Sequence, residues 1–237
     1  MRLDKYLVEN DYAESLSLAR ALVLAGKVLV NDKIESRAGY ELKESDLLRL
    51  KETKQHVSRS AAKLKTALES WQFNVKDKTF IDVGASTGGF TEVLLEKGAK
   101  KVIALDVAYG FLHPKLRNDE RVFVFERKNI RGLKKEEMPF MPDYFTADVS
   151  FISVRKVLES LRKLNDSWEG IILFKPQFEA EKEMLKKGIV KEEADRKKLL
   201  ENFYRYLTEN NFFHVKTLPA SIAGTKGNIE YLIWIKW

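Results

Sequence analysis

Apolar residues recur at three- and four-residue intervals near the start of the chain, at Leu3, Leu7, Ala13, Leu16, Ala19, Leu22 and Val23. That period predicts two short helices, over "LDKYLVE" and "AESLSLARALVLAG", with Gly26 closing the second. The rhythm then changes: "KVLVNDKI" reads as strand, Asn-Asp turn and strand, and "DLLRL" as a closing strand. Residues 1–50 are expected to form a small α+β domain with its own core. The polar, aperiodic "KETKQHVSRS" predicts a linker over 51–58. It leads into a helix whose basic face carries Arg59, Lys63 and Lys65, a run that a solvated helix face would also explain.

From Thr79 onward, "TFIDVG", "KVIALDV", "VFVFE", "YFTADVS" and "GIILFKP" alternate with helical patterns such as "FTEVLLEKG" and "ISVRKVLESLRKL". Strands that are apolar almost throughout imply burial on both faces, hence a parallel sheet between helical layers. The last two strands, "FFHVKTL" and "EYLIWIKW", are joined by only "PASIAGTKGNI", which favours an antiparallel pair. The expected fold over 59–237 is α/β: a Rossmann-like, seven-stranded, mostly parallel sheet with one antiparallel strand. That is the shape of class I methyltransferases and not the usual ending of a dinucleotide dehydrogenase.

Composition narrows the chemistry. Zero cysteines exclude disulfides and cysteine nucleophiles, and with three scattered histidines no metal site is expected. The same usage suits a cytoplasmic protein. "MRLDKYLVENDY" has charges but no apolar h-region, so no secretory signal is expected, and no apolar run approaches the ~18 residues of a membrane helix. Net charge is +7. Residues 97–135 hold 11 Lys/Arg against 4 Asp/Glu, an excess equal to that of the whole chain, while the first 60 residues hold 11 against 10. A polyanionic partner would find its charge in the middle of the chain.

The candidate chemistry lies at strand ends. "IDVGASTGGF" is a strand entering a glycine-rich turn and a helix, where backbone N–H groups can approach a ligand. Ser86 stands where a dinucleotide fingerprint needs its second glycine, which disfavours a pyrophosphate site. Asp106 ends the next strand about 20 residues on, the place for a carboxylate that accepts ribose hydroxyls. Asp148 and Lys175 end two later strands. In open parallel sheets ligands bind outside the carboxyl ends of the strands, so both side chains should face one crevice.

These segments, "SRSAAKL", "DVGASTGGFTEVLL", "ALDVAYGFLHPKLRNDERV", "DVSFISV", "FKPQFEA" and "KGNIEYL", closely resemble the TlyA family of ribosomal RNA 2'-O-methyltransferases, whose catalytic domain is of the FtsJ type. The first 34 residues resemble the alpha-L RNA-binding motif that the family carries in front. The resemblance implies S-adenosylmethionine as cofactor over Asp82, Gly84, Ala85, Ser86, Thr87, Gly88, Gly89 and Phe90, with Asp106 on its ribose and Asn129 toward the adenine. It implies a Lys-Asp-Lys-Glu tetrad at Lys63, Asp148, Lys175 and Glu230, with Lys65 the rival to Lys63. Arg2, Arg20, Lys27 and Arg59 become RNA contacts. The implied target is a cytidine 2'-hydroxyl in 23S rRNA, with 16S rRNA an open second target, and the implied partner is a ribosomal subunit.

A free lysine, with a pKa of about 10.4, is almost wholly protonated at neutral pH, and burial or a nearby cation lowers that value. Lys175, at the end of a buried strand, is the favoured base, with Lys63 as the neighbouring cation; the sequence leaves open which group formally takes the proton. Departures from the family pattern lie elsewhere: Leu16 stands where an arginine is common, and His56 where some members have a linker tryptophan. Two rivals remain, a non-catalytic rRNA-binding assembly factor and a membrane-active haemolysin, for which no membrane-inserting segment is evident.

Overall fold

Val23, Leu7 and Leu3 are fully enclosed with Ala19, Val28 and Val30, and this small cluster is the core of the first unit. The computed structural model describes residues 1–9, 15–24, 26–43, 46, 48–50, 58–224 and 227–237. The chain divides into two compact units, residues 1–55 and 56–237. Ala13 and residues 51–57 of the expected linker lie outside the described residues.

In the first unit, helices α1 (Leu3–Glu9) and α2 (Leu16–Leu24) precede strands β1 (Val28–Val30), β2 (Lys33–Ile34) and β3 (Leu48–Leu50). The strands form an antiparallel sheet ordered β2-β1-β3. Gly26 has φ +65° and donates to the carbonyl of Val23, closing α2 as its position suggested. Asn31 and Asp32 both have positive φ, which matches the twist of a two-residue hairpin between β1 and β2. Leu16, expected on the buried stripe, is 41% exposed.

The second unit comprises α3 (Arg59–Trp71), β4 (Thr79–Val83), α4 (Gly89–Glu96), β5 (Lys101–Leu105), α5 (Pro114–Arg117), β6 (Val122–Phe125), β7 (Tyr144–Ala147), α6 (Val154–Leu164), β8 (Glu169–Phe174), α7 (Pro176–Glu179), α8 (Glu193–Glu209), β9 (Phe213–Pro219) and β10 (Tyr231–Lys236). The sheet runs β6-β5-β4-β7-β8-β10-β9, with β10 antiparallel to both neighbours and the other pairs parallel. Alternation along the buried strands feeds two cores. Ile172 and Phe174 of β8 face the cluster with α6 and α8, whereas Ile171 and Leu173 face the one with α3 and α4. Apolar side chains are thus needed at all four positions from Ile171 to Phe174, which is why that part of the strand lacks a polar face.

Strand order reverses between β4 and β7: the chain winds outward through β5 and β6, then returns to the other side. Loops leaving the carboxyl ends of β4 and β7 diverge there and leave a crevice.

Candidate active site

Gly84 leaves β4 with φ +82°, and a Cβ on it would come within 2.5 Å of the Asp148 carbonyl oxygen. Only glycine allows that turn and that approach together. Two cavities meet here, sharing Gly84, Ser86, Asp148 and Ser150 in their linings. One is walled by Leu105, Ile130, Val149, Ile152 and Val157, with Asp106 and Asn129 at its edge. The other contains Lys63, Lys175, Glu230, Ala85, Thr87 and Phe90.

Asp106 is oriented before any ligand arrives. Ser86 N–H donates to its Oδ2 at 2.7 Å and Ala108 N–H to its Oδ1 at 2.8 Å. Each carboxylate oxygen keeps a further lone pair, so a vicinal diol can be bound at little reorganisation cost. Asn129 caps the 3-10 turn Ile130–Gly132, its side chain accepting from Arg131 N–H at 3.0 Å. An apolar wall with a diol acceptor at its edge, next to a charged chamber, has the chemistry to take a nucleoside with a polar tail.

The chamber holds two ion pairs. Lys63, on α3, is 6% exposed and donates to Glu230 Oε2 at 2.6 Å. Lys65 is half-buried on the same helix and lines neither cavity. Lys175 Nζ lies 2.6 Å from Asp148 Oδ1 and donates to Ser150 Oγ at 2.9 Å. The turn after β8 carries more than Lys175. Gln177 donates to Glu230 Oε1 at 2.8 Å, and Glu179 accepts from Ser153 Oγ and Val154 N–H, tying α7 to the start of α6. Burial raises the Glu179 carboxyl above the ordinary glutamate range. Ser150, Gln177 and Glu179 were not singled out from sequence, and the spacing of Gln177 from Lys175 is the sole local sign of it.

Three expected cofactor contacts do not line either cavity. Asp82 is fully enclosed, with Thr91 Oγ1 donating to Oδ2 at 2.7 Å and Thr146 Oγ1 to Oδ1 at 2.9 Å. Gly88 packs on Leu116, and Gly89 on Ser58 and Ser60. These three shape the loop from behind. Burial pushes the Asp82 carboxyl from the ordinary aspartate range up to about 6. The folded state then holds the proton longer than the unfolded chain, so stability is fullest below the unfolded pKa and is lost as pH rises through about 6. Asp82→Asn should therefore exceed wild type in urea-unfolding stability at neutral pH by on the order of 2–3 kcal/mol, with the gap closing toward about pH 4. Parallel stability curves for the two proteins would sink this account.

The expected RNA contacts differ in setting. Arg2 donates from Nε and Nη2 to the two oxygens of Asp4, and Arg20 Nε donates to Asp4 Oδ2 at 3.0 Å. Hydrogen bonding by Arg2 holds the enclosed Asp4 carboxyl well below the usual carboxylate range. Both arginines are anchored yet about half exposed, with side-chain exposures of 44% and 54%. Lys27 is half-buried after Gly26, and Arg59 opens α3, its side chain outside the described part. In the basic stretch, Lys97 pairs with Glu69, Arg117 with Glu126, Arg121 with Asp119 and Lys128 with Glu137. Of these acids only Glu69 and Glu137 lie outside the stretch, so these pairs offset two of its surplus of seven.

Phe151, in the loop after Asp148, is 93% exposed and has φ +64°, an uncommon conformation for a bulky residue. It lies with Phe178, ring centroids 5.3 Å apart, beside a further cavity that Lys175, Gln177 and Glu230 also line.

Residues 56–237 match the FtsJ-like methyltransferase family, and residues 1–48 match the S4 domain. The chain is 41% identical over 236 residues to "Hemolysin A" of Brachyspira hyodysenteriae, covering 98% of each chain. It is 37% identical over 239 residues to the "16S/23S rRNA (cytidine-2'-O)-methyltransferase TlyA" of Mycobacterium tuberculosis, covering 99% of this chain and 89% of the relative. A solved structure from Streptococcus thermophilus, carried under the name hemolysin, is 36% identical with a TM-score of 0.75, covering 100% of this chain and 88% of its own.

Proposed function

Because the chain belongs to the FtsJ-like methyltransferase family and carries an S4 domain ahead of that region, we propose that it methylates the ribose 2'-hydroxyl of a cytidine in ribosomal RNA, using S-adenosylmethionine. The observation that carries this reading is the pair of lysine–carboxylate contacts, Lys63 with Glu230 and Lys175 with Asp148, beside an apolar cavity edged by Asp106 and Asn129. Residues 1–50 are read as the RNA-binding domain, 51–58 as the linker and 59–237 as the catalytic domain.

S-adenosylmethionine supplies, when bound, an electrophilic methyl group on a sulfonium. Asp106 would accept the hydroxyls of its ribose, the apolar wall beside Asn129 would take the adenine, and Gly84 to Thr87 with Phe90 would border its tail. The methyl acceptor must approach in line, with its proton leaving as the C–O bond forms. Lys175 suits that proton. In its amine form it donates one N–H to Ser150 Oγ, lies within ion-pair distance of Asp148 Oδ1, and has a nitrogen lone pair to offer the hydroxyl. Lys63, fixed by Glu230, offers a cation to the same oxygen as negative charge develops.

RNA is the acceptor this surface suits. Phe151 presents an open aromatic face next to Lys175, and single-strand-like nucleotides are read by stacking a splayed base on such a ring. Arg2, Arg20, Lys27 and Arg59 are proposed phosphate contacts, whose contribution should fall with salt. The setting is then the cytoplasm, with a ribosomal subunit as partner. Among the described residues no helix is long and apolar enough to cross a membrane.

Mass-spectrometric mapping of 2'-O-methyl groups on 16S and 23S rRNA, with the gene present and deleted, tests the proposal. Loss of a 2'-O-methylcytidine in 23S rRNA, alone or with one in 16S rRNA, is expected. Identical maps from the two strains would refute it.

A further inference from the structure

We propose that Gln177 is a positioning residue of this site, locking the Glu230 carboxylate so that the two ion pairs act as one unit. The inference rests on the tetrad reading above and extends it to a side chain that brings no charge. Gln177 lies on α7, two residues past Lys175, and its Nε2 donates to Glu230 Oε1 at 2.8 Å. The other carboxylate oxygen accepts from Lys63 at 2.6 Å. Glu230 is 3% exposed, and Gly224 walls its Oε1 side so closely that a Cβ there would lie 2.0 Å from that atom. The carboxylate sits in a slot with one donor at each end, and turning it toward either would abandon the other.

A second observation is a cost. Gln177 Oε1 is enclosed and has no hydrogen-bond partner among the described residues. A buried carbonyl without a donor destabilises the fold, and flipping the amide would set that oxygen against the Glu230 carboxylate. The orientation is therefore dictated by Glu230. A polar group kept at the expense of stability calls for a functional explanation. Here the gain is mechanical: α7 begins directly after Lys175, whose Nζ is tied to Asp148 and Ser150, so Gln177 joins the Lys63–Glu230 pair to the element bearing the other pair.

The test uses the full chain, tritiated S-adenosylmethionine, and ribosomal subunits from the deletion strain as methyl acceptors. Gln177→Met keeps the length and removes both polar atoms. Its kcat is expected to fall on the order of 10²-fold, the scale of a misplaced reacting group, with S-adenosylmethionine affinity unchanged and thermal stability lowered, because the buried Glu230 carboxylate loses a donor. Gln177→Glu supplies a readout that mere packing would not move. Protonated, the new carboxyl donates to Glu230 as the amide does; ionised, it repels it. The ratio of Gln177→Glu to wild-type kcat should therefore drop as pH rises from about 6 to about 9. A Gln177→Met kcat within about threefold of wild type, or a ratio flat in pH, would overturn the positioning role. Wild-type protein that methylates neither subunit would instead refute the proposed function, so the two failures are separable.

Discussion

Lys175→Ala is expected to lower single-turnover methyl transfer by about 10³-fold, within the range that a positioned general base contributes. Binding of S-adenosylmethionine and of ribosomal subunits should change little, since Lys175 is held by Asp148 and Ser150 and does not line the cavity edged by Asp106 and Asn129. Alanine alone is ambiguous, because it also leaves Asp148 without its cation. Lys175→Arg resolves this: a guanidinium keeps the positive charge beside Asp148 but stays protonated and has no lone pair to offer. Both variants should be equally inactive if Lys175 takes the proton. If Lys175→Arg retained a large part of the wild-type rate, the role of Lys175 would be electrostatic, and the base would have to be sought elsewhere.

The parts of this protein visible in its sequence are those encoded by local period. Continuous apolar runs announced the buried strands, and the short connection before "EYLIWIKW" announced the antiparallel β10. Strand-end positions also placed Asp106, Asp148 and Lys175 at one crevice, because the topology of a parallel sheet converts an ending in sequence into a location in space. What local pattern cannot encode is which side chain a polar group meets after folding. Gln177 is the clearest case, since its partner Glu230 is 53 positions away and its spacing from Lys175 does not name that partner. Asp82 is the converse: its place beside the glycine turn suggested a ligand contact, yet Thr91 and Thr146 enclose it. Arg2 and Arg20 show the same limit in the first unit, where the buried Asp4 draws both arginines to itself. Charge counting likewise missed the pairing of Arg117, Arg121 and Lys128 with nearby acids.

Glu230→Ala is expected to damage stability as well as activity, and the two effects should separate. Lys63 and Glu230 have side-chain exposures of only 7% and 3%, so removing the carboxylate leaves a buried, unpaired ammonium. Breaking a buried pair in this way costs about 3–5 kcal/mol, which for a domain of this size lowers Tm by roughly 10 °C. The loss arises mainly from the stranded charge, not from the net worth of the pair, whose attraction is largely offset by desolvation. Lys63→Met combined with Glu230→Leu, which fills the same space with apolar groups, should therefore recover most of the lost Tm. It should recover no methyl transfer, because the cation facing the reacting oxygen is gone. Thermal melts and single-turnover assays on Glu230→Ala and the double variant provide the comparison. A double variant as unstable as Glu230→Ala would mean that the pair itself supports the fold. A double variant that regained activity would remove Lys63 and Glu230 from the chemistry and leave Lys175 and Asp148 to carry it alone.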